Sequence, residues 1–140
     1  MSDIPTTTIK QSVTFSASPA RVYDAYMKAE EHAEFTGAKA VIVPKVDGRF
    51  EVYDGYAAGT FTELIPSEVI ACSWKELDPA WPAGHYSKLR IELSANEDGD
   101  CELVMVHSEV PEDRSADIAA GWHDYYWSPL EEYLQDETGA

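Results

Sequence analysis

Apolar and polar residues alternate along most of this chain with the two-residue period of half-buried strands, and the period turns helical in two places. From Thr6 to Ser16, Ile9, Val13 and Phe15 alternate with Lys10, Ser12 and Thr14, which predicts a first strand. Ser18-Pro19 reads as a helix start, a capping hydroxyl followed by proline where a missing N–H is harmless. Val22, Tyr23 and Tyr26 give that short helix an inner face. A second short helix is expected from Ala29 to Phe35, ending before Gly37, with Phe35 turned inward. Gly, Pro, Asp and Asn then punctuate six further β-rich runs: Ala40 to Pro44, Gly48 to Tyr53, Ala57 to Leu64, Val69 to Lys75, Tyr86 to Ala95 and Cys101 to Glu109. Asn96-Glu97-Asp98-Gly99 joins the last two as a hairpin. Leu89, Ile91 and Leu93 share one face of it; Leu103, Met105 and His107 are the matching inner set, with Val104 and Val106 competing for that side.

The last stretch, Ser115 to Leu134, has helical spacing. Ile118, Trp122, Tyr125, Tyr126, Pro129 and Tyr133 share one side, and His123, Trp127, Leu130 and Leu134 continue it around the cylinder. An apolar arc over about half the helix exceeds the ~100° stripe of a surface helix, so a concave partner, a curved antiparallel sheet, is expected to embrace it. Its Tyr and Trp side chains carry polar tips that need hydrogen-bond partners once buried, which suits a helix beside a partly polar cavity. Pro129 should kink the helix near Tyr125. Trp81, in the Pro- and Gly-containing loop between Lys75 and Tyr86, reads as a lid or patch cover.

The 140 residues fit one domain, 1–140, large enough to bury its own core. A net charge of −16 repels phosphate backbones and anionic lipid heads, so nucleic acid and membrane partners are set aside. The start of the chain has no basic segment leading into an apolar run, and a cytoplasmic protein is expected. Cys72 and Cys101, inside predicted strands, read as reduced buried side chains. No CxxC, HExxH or phosphate-cradling glycine loop points to a metal or a cofactor, and none is expected.

TFSASPARVYDAYMKAEEHAEFTG resembles the opening of the START-like, or SRPBCC, superfamily. KVDGRFEVYDGYAAGTFTELIP with VIACSW, and GWHDYYWSPLEEYL at the end, resemble its branch named after the activator of Hsp90 ATPase homologue 1. The resemblance covers nearly the whole chain. It implies an α+β helix-grip fold: a curved antiparallel sheet of about seven strands wrapped around a long C-terminal helix, with two short helices after strand one and a cavity between sheet and helix. Relatives include lipid and hormone carriers, polyketide cyclases and a chaperone-binding domain.

Three functions follow. The first is binding of a small hydrophobic ligand, aromatic or acyl, in that cavity, with Phe35, Trp74, Tyr86, Met105, His107, Trp122, His123 and Tyr126 as its wall. The second is an enzyme of cyclase, dehydratase or hydrolase type using His107, His123 or Glu63 for proton transfer. Strand alternation puts Glu63 with Phe61 and Ile65, so either a bulge turns it outward or it reaches a buried partner such as Arg49. His32, on a short acidic helix, and His85, beside the loop, are expected at the surface. The third is a chaperone-regulating interaction module, implied by the resemblance alone. Binding ranks ahead of catalysis, because a histidine on an apolar face is more often a hydrogen-bonded core residue than a catalyst.

Overall fold

The computed structural model describes residues 5–79, 81, 82 and 84–138; Ala80 and Ala83 of the Trp81 loop lie outside the described residues. Strand β1 (Thr6–Phe15) leads to helices α1 (Pro19–Met27) and α2 (Ala29–Thr36). Strands β2 (Val41–Ile42), β3 (Arg49–Val52), β4 (Ala57–Ile65), β5 (Val69–Glu76), β6 (Ser87–Ala95) and β7 (Cys101–Pro111) follow. A 3₁₀ turn (Glu112–Arg114) then enters the terminal helix. All strand pairs are antiparallel in the order β1-β7-β6-β5-β4-β3-β2, so the first strand closes against the last and the rest form a meander. No helix among the described residues is long and apolar enough to cross a membrane.

Local chemistry explains the elements. The Ser18 hydroxyl accepts from the Arg21 N–H and Pro19 opens α1, while Gly37 ends α2 in the left-handed region at φ 74°. Gly59 sits where the Ser73 carbonyl of β5 crosses β4; a Cβ there would lie 1.9 Å from that oxygen, so only glycine fits. The inner face is continuous across the sheet: Phe50 and Val52, Phe61, Ile70, Cys72 and Trp74, Leu89 and Ile91, and Leu103, Met105 and His107 are all buried. Leu103, Met105 and His107 occupy the inner face of β7, with Val104 and Val106 only half-buried. Cys72 and Cys101 are free thiols in the core.

The terminal helix is not one uniform α-helix. It runs as α3 (Ser115–Trp122), a π turn (His123–Trp127) and α4 (Ser128–Thr138), and the Ser128 N–H reaches back five residues to the His123 carbonyl. Pro129 has no N–H for the Tyr125 carbonyl, and the Tyr53 hydroxyl donates to that oxygen instead. One inserted residue turns everything downstream back by about 100°. The buried stripe Ile118, Trp122, Tyr126 is thereby continued by Trp127, Leu130 and Leu134 on the same line. This corrects the wide arc expected from an ideal helix: two narrow stripes join at the π turn, and His123 and Tyr125 lie outside them, both exposed.

Candidate functional site

Where β3, β4 and β5 part from the terminal helix, a hollow of about 600 Å³ opens to solvent along one side. Tyr53 and Tyr56 reach it from either side of the Asp54-Gly55 turn, Trp74 and Glu76 from the end of β5, Arg114 from the 3₁₀ turn, and Trp122, Tyr125 and Tyr126 from the helix. The helix is thin at this point, because Ala120 and Gly121 contribute almost no side chain to the wall. The rings form a chain by centroid distance: Trp74 to Trp122 5.2 Å, Trp122 to Tyr126 4.8 Å, Tyr126 to Tyr53 5.6 Å and Tyr53 to Tyr125 5.9 Å.

A polar cluster closes one end. Glu76, whose side chain is only 8% exposed, accepts from Trp74 Nε1 at 3.1 Å and from the Tyr56 hydroxyl at 3.3 Å. Arg114 Nη2 lies 3.7 Å from Glu76 and 3.4 Å from Asp78, and Arg114 Nη1 donates to Asp117 at 2.7 Å. Arg114 Nε is enclosed, with no hydrogen-bond acceptor among the described residues. Burial alone would lower the Arg114 pKa, but Asp78, Tyr56 and Glu76 outweigh it and the guanidinium stays charged. Burial, then Glu76, raises the Tyr56 phenol, and burial, then Tyr125, lifts Tyr53 to about 12, so both stay protonated donors.

Behind the wall, two histidines hold the aromatic tips. Trp122 Nε1 is a donor only, so His107 Nδ1 accepts from it at 3.1 Å. His107 Nε2 must then carry the proton and donate to Ser87 Oγ at 2.7 Å, and Ser87 donates to the Trp74 carbonyl at 2.9 Å. His32 is fixed by the same logic. Its Nδ1 donates to the Tyr26 carbonyl at 2.9 Å and its Nε2 accepts from the Tyr126 hydroxyl at 3.1 Å. Both rings are neutral; burial lowers His32 to about 4 and His107 to about 3.

A sequence profile of the activator of Hsp90 ATPase homolog 1-like proteins matches residues 16–135. The chain belongs to this family. The activator of 90 kDa heat shock protein ATPase homolog 1 of Mus musculus is 30% identical over 129 residues, which are 92% of this chain and 37% of that protein. The chain thus spans a little over a third of the curated relative's length. PFC0360w, an HSP90 activator from Plasmodium falciparum, has a TM-score of 0.85 at 21% identity, covering 91% of this chain and 96% of that one. The Aha1 dimer from Colwellia psychrerythraea gives a TM-score of 0.75 at 19% identity, covering 91% of this chain and 95% of that one. At these identities the solved structures speak for the fold alone, the helix-grip arrangement of the AHSA1-like proteins.

Within this AHSA1-like domain the expected site residues separate. Trp74, Trp122 and Tyr126 line the hollow. Phe35 and Met105 are buried in the core outside its lining, and His107 stands behind Trp122. Tyr86 is exposed beside a second hollow, bordered by Thr62, Lys88 and Val106. His123 is exposed because the helix direction it occupies is not continued past the π turn. Glu63 is turned outward by a bulge between Phe61 and Glu63 in the β4–β5 pairing, and it bonds Arg90 at 2.8 Å rather than Arg49. His107, buried behind Trp122, and His123, exposed on the helix, therefore do not share one space, and Glu63 joins neither. His32 was expected at the surface and is fully buried, because its ring packs between Tyr26, Phe35 and Tyr126. Trp81 is buried, its indole N–H held by the His85 carbonyl at 2.8 Å. Tyr53, Tyr56, Glu76 and Arg114 were not among the expected site residues. The sequence carries a signal for two of them: Glu76 follows Trp74 at the strand period, and Arg114 is a single cation inside the acidic run PEDRSAD.

Proposed function

We propose that this domain binds a small molecule with a large apolar body, aromatic or acyl, in the hollow between the terminal helix and β3–β5. The observation that carries the reading is a hollow of about 600 Å³, within the ordinary range for ligand sites, walled by six Tyr and Trp side chains around a few fixed polar groups. Chemistry ranks behind binding, since no histidine is among the described residues that line the hollow and Glu76 already accepts from Trp74 and Tyr56. Native mass spectrometry of the purified chain, combined with tryptophan fluorescence titration, tests this. A ligand seated on Trp74 and Trp122 should change their emission, and Trp122→Ala should abolish that response at a stability cost of about 3–5 kcal/mol. Trp74→Phe keeps the packing and should weaken the response alone. No carried molecule and no emission change with any apolar probe would sink the reading.

The relatedness to the mouse activator of the 90 kDa heat shock protein ATPase supports a second reading, a module that docks on an Hsp90-type chaperone. An increase in the chaperone's ATPase rate on addition of this chain, unaffected by Trp74→Phe, would favour docking over ligand binding.

A further inference from the structure

We infer that the ligand of the hollow carries a positive charge, as an amine or quaternary ammonium attached to its apolar body. This rests on the reading of the hollow as a small-molecule site and names the chemical class it selects. The indole and hydroxyl donors of Trp74, Trp122, Tyr126 and Tyr53 are each consumed within the protein, by Glu76, His107, His32 and the Tyr125 carbonyl. Arg114, the one cation among the described lining residues, has its Nη groups directed at carboxylates and its Nε sealed from solvent. An anionic or strongly accepting ligand thus meets few free donors. Ring surfaces and the Asp124 carboxylate remain, since the Glu76 oxygens accept from Trp74 and Tyr56 and Asp117 pairs with Arg114.

Both favour a cation. The face of an aromatic ring is the negative part of its quadrupole, and a cation within ~6 Å of a ring centroid gains about 0.5–2 kcal/mol, more when desolvated. Carboxylates supply the second, independent attraction. Glu76, Asp117 and Asp124 line the hollow against the single guanidinium, and Asp124 has no ion-pair partner among the described residues. The net charge of −16 extends the same field outward, raising the local concentration of cations and lowering that of anions.

The test compares three probes by calorimetry and tryptophan fluorescence: benzyltrimethylammonium, its neutral carbon isostere neopentylbenzene, and the anion phenylacetate. The cation is expected to bind at least tenfold tighter than the neutral isostere, and the anion weakest. Raising salt from about 0.01 M to about 1 M shortens the screening length from ~30 Å to ~3 Å and should weaken the cation alone. The Asp117→Asn/Asp124→Asn double variant alters two exposed side chains, so it should fold normally and lose severalfold in cation affinity while the neutral probe is unchanged. Neutral binding equal to or tighter than cation binding would overturn the charge preference and leave the small-molecule reading standing. Failure of all three probes would remove both.

Discussion

His32 and His107 are neutral in the folded protein, with pKa values near 4 and 3, whereas in an unfolded chain both titrate near ~6.5. Above that unfolded value neither state binds the proton and the rings leave stability unchanged with pH. As pH falls below it the unfolded chain takes up protons that the native rings refuse, so stability drops by about 1.4 kcal/mol per pH unit per histidine. The loss continues until the folded values are passed. Exposed carboxylates on so acidic a chain add an opposite trend, because protonating them relieves repulsion, and a comparison of variants isolates the histidine contribution. Gln at position 107 can accept from Trp122 and donate to Ser87 but takes up no proton. We expect His107→Gln to flatten the urea-derived stability profile by about 1.4 kcal/mol per unit between about pH 6 and 5. An unchanged slope would mean that His107 is not held neutral by the Trp122–His107–Ser87 chain. The burial of His32 was not legible in AEEHAEFT, whose acidic surroundings are those of a solvated helix; its partners Tyr26 and Tyr126 come from elsewhere in the fold.

The π turn governs the terminal helix, and it was only half legible. Pro129 announced a disturbance near Tyr125, but an ideal helical wheel assumes a constant 3.6-residue period and so spreads one narrow stripe into an apparent half-cylinder. Strands were easier to read, since a period of two survives small errors in their ends; the bulge that reverses Glu63 was one of two alternatives the alternation left open. The Tyr53 hydroxyl replaces the donor that Pro129 lacks, which couples the two residues across the hollow's edge. Tyr53→Phe should therefore cost about 0.5–1.5 kcal/mol in the native background. In Pro129→Ala, where position 129 regains an N–H, the same change should cost measurably less. Equal costs in the two backgrounds by urea denaturation would show that Tyr53 does not substitute for the missing backbone donor.

At the scale of the whole molecule the sheet and the terminal helix are each other's solvent barrier. The sheet presents Phe61, Cys72, Trp74, Leu89, Ile91, Leu103, Met105 and His107 on its buried side, while β1 contributes Phe15 and Gln11, whose amide joins Trp127 Nε1 to the Ala119 carbonyl. That overall embrace was readable from the alternation and the aromatic helix together. The place where it opens was not, because the hollow depends on how far β3–β5 diverge from a locally thin, π-turned helix, and no single segment encodes that distance. The embrace also sets what the helix is worth. Ile118, Trp122, Tyr126, Trp127, Leu130 and Leu134 are all buried, and at about 1.5–3 kcal/mol per large apolar side chain their burial matches or exceeds the ~5–15 kcal/mol net stability of an ordinary domain. A chain ending at Arg114 should consequently have no cooperative thermal transition and no fixed near-ultraviolet circular dichroism, since its sheet would expose one whole apolar face and leave His32 and His107 without Tyr126 and Trp122. Adding a separate peptide spanning residues 115–138 should restore both signals in a concentration-dependent way. A sharp transition in the shortened chain alone would show that the sheet closes on itself, and the helix would then be a cover rather than half of the core.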